Sequence, residues 1–144
     1  MVSTKLLKID DLKQLHASGA GYDMIRYIGL PDILGKERDT MLYFMGKSLA
    51  RKFEIETLED IYSIFSILGW GRLELVKEKK KQLTFHLLDD SIVLRLKGPL
   101  DVDFRLEAGF LAEAVQRITE RECECQEEIH KRIHQVKFDC FYIE

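Results

Sequence analysis

The sequence predicts an α+β fold in which three N-terminal helices, a β-hairpin, a long helix and a C-terminal β-hairpin follow in order. The hairpins form a four-stranded antiparallel sheet, and the helices pack mainly on one of its faces. Three observations carry this expectation. Apolar residues recur at helical spacing through the first half of the chain and again over residues 104–118. Two pairs of segments alternate apolar and polar residues in period two. Glycine, proline and lysine clusters separate them, with no internal repeat and no linker, so residues 1–144 are read as a single domain.

Helical spacing in the first 28 residues runs through Leu12, Leu15, Tyr22, Ile25 and Ile28, interrupted at Ser18, Gly19 and Gly21. In GLPDILG (29–35), Pro31 disfavours helix at Leu30 and Gly35 permits a turn, so the helix is expected to end there and meet a second one. The second, DTMLYFMGKSLARKF (39–53), places Met41, Met45, Leu49 and Phe53 on one stripe, flanked by Leu42 and Phe44, with Gly46 and Ala50 leaving room beside it. Thr57 opens the third: its hydroxyl can cap the helix while Asp60, three residues on, answers from the first turn. Leu58, Ile61, Tyr62, Phe65 and Leu68 form its buried stripe, and Gly69 ends it.

Period-two alternation follows, with Leu73 and Leu75 before the KEKKK turn (77–81) and Leu83, Phe85 and Leu87 after it. Residues 89–103 are expected to be irregular, although SIVLRL (91–96) could be a strand and Ser91 after two acids could equally open a short helical turn; Gly98-Pro99 marks a loop. The long helix sets Leu106, Phe110, Ala114 and Ile118 on one stripe, widened by Leu111 and Val115. Ala108, Gly109, Ala112 and Ala114 make part of its surface small, which admits either another backbone or a thin ligand at close range. Cys123 and Cys125, then Val136, Phe138, Cys140 and Tyr142, alternate in the closing hairpin.

Composition excludes several classes. With 46% hydrophobic and 33% charged residues the chain is neither disordered nor membrane-spanning, and its apolar runs are too short for stable membrane insertion. Asp10 and Asp11 interrupt any signal-peptide core, so a cytoplasmic location is expected. Net charge is −3 with bases and acids interleaved, which argues against a nucleic-acid partner. Three cysteines, an odd number confined to the last 22 residues, do not make a disulfide framework.

No catalytic motif stands out: His16 and His86 lack a nearby nucleophile, and GxSxG, P-loop and GxGxxG patterns are absent. No enzyme and no cofactor are expected. Cys123, Cys125, Cys140, His130 and His134 are chemically suitable zinc ligands, but their spacing matches no strong zinc signature, so no metal is expected. Glu107 can satisfy helix N-terminal amides, pair with Arg26 or Arg51, or anchor a ligand's polar end. Trp70, between two glycines, reads as a core anchor at a helix-to-strand corner.

YDMIRYIGLPDILG, LYFMGKSLARKF, the GWG after the third helix and FRLEAGFLAEAVQ together resemble the YslB-like family of small uncharacterised Bacillota proteins, over essentially the whole chain. That family is similar to the 4-vinyl reductase domain and the TRAPP subunits of vesicle tethering, a superfamily described as a ligand-binding domain of nitric-oxide signalling and Golgi transport. The resemblance implies an α+β domain that dimerises through helices and holds an apolar cavity between helices and sheet. In some TRAPP subunits an acyl chain attached to a helix cysteine fills that cavity; here no cysteine precedes Cys123, which excludes a covalent acyl group on the early helices. The expectation is a non-enzymatic, cytoplasmic homodimer binding a small hydrophobic molecule non-covalently. Its cavity is expected to be lined by Met41, Met45, Leu49, Phe110 and Ala114, with Glu107 as the polar anchor. The alternatives are an interaction or scaffold module with a filled core and, behind it, a zinc-dependent sensor.

Overall fold

The computed structural model describes residues 6–12 and 20–143. Leu15, His16, Ser18 and Gly19 lie outside them. After the single turn α1 (Ile9–Leu12), α2 (Gly21–Met24), a π-helical turn (Ile25–Gly29) and α3 (Leu30–Leu34) run as one continuous helix. The expected stop before Pro31 is thus corrected. Proline in a regular helix has no N–H to donate and its ring meets the carbonyl four residues back. The wider π turn passes this obstacle: the Leu30 N–H reaches the Ile25 carbonyl, five residues back. The helix ends instead at Gly35, which takes φ +64°.

α4 (Arg38–Ala50) buries Leu42, Tyr43, Gly46 and Ala50, whereas Met41 and Phe44 point outward, 48% and 59% exposed. The buried stripe is therefore rotated from the one that methionine spacing suggested, because both sides of this helix carry large apolar residues. α5 (Leu58–Ile67) begins as expected, with the Asp60 N–H donating to Thr57 Oγ1 and the Thr57 N–H to the Asp60 carboxylate, each at 3.2 Å. Gly69 (φ +75°) and Gly71 (φ +135°) then swing the chain into the sheet around Trp70.

β1 (Arg72–Lys79) and β2 (Gln82–Leu88) form the first hairpin, β3 (Cys123–His130) and β4 (Gln135–Tyr142) the second. The sheet order is β1-β2-β4-β3, antiparallel throughout. Leu73, Leu83, Phe85, Leu87, Cys123, Cys125, Val136, Phe138 and Cys140 bury its inner face. Its outer face is tied by polar pairs such as Thr84 Oγ1 donating to Asp139 Oδ1 at 2.7 Å. The free edge at β3 is covered: the Cys125 N–H donates to Tyr43 Oη of α4 at 2.8 Å.

Residues 89–103, expected to be irregular, contain the helix α6 (Asp90–Lys97). Asp89, at φ 143°, accepts the Asp90 N–H on its carboxylate at 2.7 Å, and Ile92 is fully buried. Arg95 ties α6 to the Trp70 corner by donating to the Gly69 carbonyl at 2.8 Å and the Trp70 carbonyl at 3.4 Å. These are tertiary contacts, invisible to spacing. α7 (Arg105–Thr119) is the central helix, buried from Leu106 to Val115 and crossing α4 at Gly46 and Gly109 with backbones in contact.

Candidate functional site

The N-terminal end of α7 carries a buried polar node. Arg26, in the π turn, is 1% exposed. It donates to Asp103 Oδ1 at 2.8 Å and to Glu107 Oε1 at 3.1 Å. Of the two partners anticipated for Glu107, Arg26 is the one present; Arg51 pairs with Glu113 at 3.3 Å instead. Glu107 is fully buried, and burial pushes its carboxyl above the ordinary value while Arg26 opposes the shift. Its second oxygen, Oε2, has no hydrogen-bond partner among the described residues. Tyr22 joins the node to the core by accepting from Trp70 Nε1 at 3.1 Å.

Beside this node lies a pocket of about 380 Å³ between α2, the π turn, α6 and the loop that follows it. Its apolar wall comes from Ala20, Leu94, Pro99, Leu100 and Val102 together with the Tyr27 ring. Its polar side is Asp23 and Arg95, 3.6 Å apart. Tyr27 is 5% exposed, its hydroxyl has no hydrogen-bond partner among the described residues, and burial raises its pKa. A second hollow of about 370 Å³ adjoins the first and shares Tyr27, Pro99 and Leu100 with it.

The six residues read from the sequence as a cavity wall and anchor do not surround this space. Met41 stands on the outer surface, Met45 and Leu49 are half-buried against the core, and Ala114 is fully buried. Phe110 is packed edge-on by Phe53, Phe65 and Trp70 with ring centroids 5.8, 5.8 and 5.3 Å away. Glu107 sits in the node behind Tyr27. What spacing missed is the contribution of residues 94–102: the short helix and its Gly98-Pro99 exit build most of the apolar wall. The Gly-Pro pair after an apolar run was the available signal.

Cys123, Cys125 and Cys140 are free, buried thiols on the inner sheet face, with Cys125 opposite Cys140 in the ladder. Burial raises the Cys125 and Cys140 thiols. His130 ends β3 and contacts Glu128 Oε1 at 2.9 Å, while His134 sits in the left-handed turn before β4, so the two share no helix face. Among the described residues no group of three or more His, Cys, Asp or Glu is arranged to hold a metal. No described helix is long and apolar enough to cross a membrane.

The profile of a family described as a protein of unknown function, DUF2507, matches residues 19–140. The uncharacterised protein YslB of Bacillus subtilis (strain 168) is 41% identical over 128 residues, spanning 89% of this chain and 86% of that protein. The crystal structure of a vinyl-4-reductase family protein from Methanocaldococcus jannaschii superposes with a TM-score of 0.64 at 15% identity, covering 94% of this chain and 88% of the other. At that identity the likeness is one of fold.

Proposed function

Starting from the fact that the chain belongs to the DUF2507 family, we propose that it is a non-enzymatic, cytoplasmic binding domain. It holds a small, largely apolar molecule non-covalently in the pocket between α2, α6 and residues 98–102, and it acts as a homodimer. The observation that carries this reading is the pocket itself. At about 380 Å³ it falls within the roughly 300–1,000 Å³ usual for small-molecule sites, and it has their makeup of apolar walls with a few placed polar groups. The chemistry of its wall supports binding over catalysis. Among the described residues no Cys, Ser, His or Lys lines it, and its two charged side chains face each other. The vinyl-4-reductase-like fold is consistent with a ligand-binding role.

Leu100→Trp, which puts a large ring into a half-buried position of the wall, tests the reading. Protein purified from its native cell is expected to show a small-molecule adduct in native mass spectrometry, and the tryptophan variant is expected to lose it while keeping its circular dichroism spectrum. An adduct-free wild-type protein that also binds no apolar probe would overturn the proposal.

The dimer rests on a separate observation. Ile25, Ile28, Ile33, Met41 and Phe44 leave large apolar side chains 64%, 39%, 82%, 48% and 59% exposed on the first helices. Large apolar side chains left this exposed on successive helices gain by burial against a second copy. Light scattering after size exclusion is expected to give a dimer mass for the wild type and a monomer mass for Ile33→Asp combined with Phe44→Asp. A monomeric wild type at micromolar concentration removes this part of the reading.

A further inference from the structure

Granting that the pocket is a ligand site, we infer that its ligand joins an apolar body to a cationic, amine-bearing end. The hollow next to the apolar pocket is lined by Asp32, Asp39, Asp101 and Asp103, with Arg38 as its one cation among the described residues. Asp103 is matched by Arg26. Asp32, Asp39 and Asp101 make no ion pair among the described residues, and all three are exposed and free to turn toward a ligand. Tyr27, in the wall of both spaces, is 5% exposed with an unpartnered hydroxyl.

The apolar compartment asks for the same chemistry. Asp23 Oδ1 is buried without a hydrogen bond, since the Arg95 Nε at 3.6 Å is beyond bonding range. The Asp23 carboxylate only accepts and so calls for a donor; an ammonium supplies three donors and no acceptor, and the Tyr27 hydroxyl, which both donates and accepts, can take one of them. A carboxylate ligand meets the opposite situation. Arg95 spends its guanidinium ends on the Gly69 and Trp70 carbonyls and turns its Nε to Asp23, leaving no fork for an acid. With Asp32, Asp39 and Asp101, unpaired among the described residues, set against Arg38 in the adjoining hollow, the arrangement selects amine over acid at equal apolar length.

Matched probes of one chain length, hexylamine, hexanol and hexanoate, titrated at neutral pH and low salt into uniformly 15N-labelled protein, test this. Amide shifts of Tyr27, Leu94 and Val102 are expected to follow binding, with hexylamine tighter than hexanoate by roughly tenfold and the gap narrowing as salt screens the aspartates. Asp32→Asn combined with Asp101→Asn, both at exposed positions, is expected to weaken hexylamine about threefold and leave hexanol unchanged. Hexanol or hexanoate binding as tightly as hexylamine, or an amine affinity untouched in the double variant, overturns the inference and leaves the pocket standing. Absence of shifts there with all three probes overturns the inference and the ligand-binding reading together.

Discussion

Gly109→Ala is expected to lose about 3 kcal/mol or more of stability, in the upper range for overpacking of a rigid core. α4 and α7 meet backbone to backbone, and a Cβ at position 109 would overlap the Tyr43 carbonyl oxygen. One at position 46 would overlap the Leu106 carbonyl and lie 2.7 Å from the Phe110 amide nitrogen. Neither obstacle is a side-chain tip that can swing away, so a whole helix must shift and the Phe110 cluster with it. Alanine's better helix propensity, worth up to about 1 kcal/mol, works in the other direction and is outweighed. Urea denaturation followed by circular dichroism measures the loss, with Gly21→Ala as its control. Gly21 lies in α2 with nothing within 4 Å of an added Cβ, so that variant is expected to be neutral or slightly more stable. A Gly109→Ala protein within about 0.5 kcal/mol of wild type, the range of an ordinary surface change, would mean the helices are not held at this distance.

The small residues of α7 also show how far the sequence could be read. Their spacing announced a close approach, and the structure resolves the choice between ligand and backbone at Gly109 in favour of the α4 backbone. The elements set by local chemistry were legible: the Thr57 capping box, the Gly69 turn, both hairpins and the stripe of α7. Elements set by tertiary contact were not. α6 has a local cap at Asp89 but is held in place by Arg95 reaching the Gly69 and Trp70 carbonyls, and the helix through Pro31 depends on a π turn that no periodicity encodes. The phase of α4 was ambiguous because Met41 and Phe44 are as apolar as the buried Leu42 and Tyr43. The pocket escaped for the same reason as α6, since residues 94–102 build its wall. Glu107 was the residue whose chemistry could be anticipated, because an acid beside the apolar stripe in the first turn of α7 needs helix amides or a cation to offset its burial.

That cation is the subject of the other large effect. Arg26→Met keeps most of the side-chain volume but leaves fully buried Glu107 and its neighbour Asp103 facing no guanidinium. Removing one partner of a buried pair costs about 3–5 kcal/mol, mostly the penalty of the uncompensated charge. Arg51→Met, on a pair whose arginine side chain is 61% exposed, is expected to cost no more than about 1 kcal/mol. If the penalty is that of a stranded carboxylate, adding Glu107→Gln to Arg26→Met should restore part of the loss, whereas a loss due to packing alone would not respond. The pH dependence follows from the same charge. Burial already holds Glu107 above the ordinary 4.5, and without Arg26 the largest influence opposing that shift is gone, leaving a backbone hydrogen bond against burial and the Asp103 charge. A carboxyl raised in the folded state binds its proton more tightly folded than unfolded, so its contribution is fully present below 4.5 and is lost as pH rises through the folded value. The deficit of Arg26→Met relative to wild type should therefore shrink as pH falls from neutral toward that range. Arg26→Met combined with Glu107→Gln should lack this slope. Urea midpoints of the three proteins across that interval decide it, and a deficit that grows on acidification would mean Glu107 is not the group left stranded.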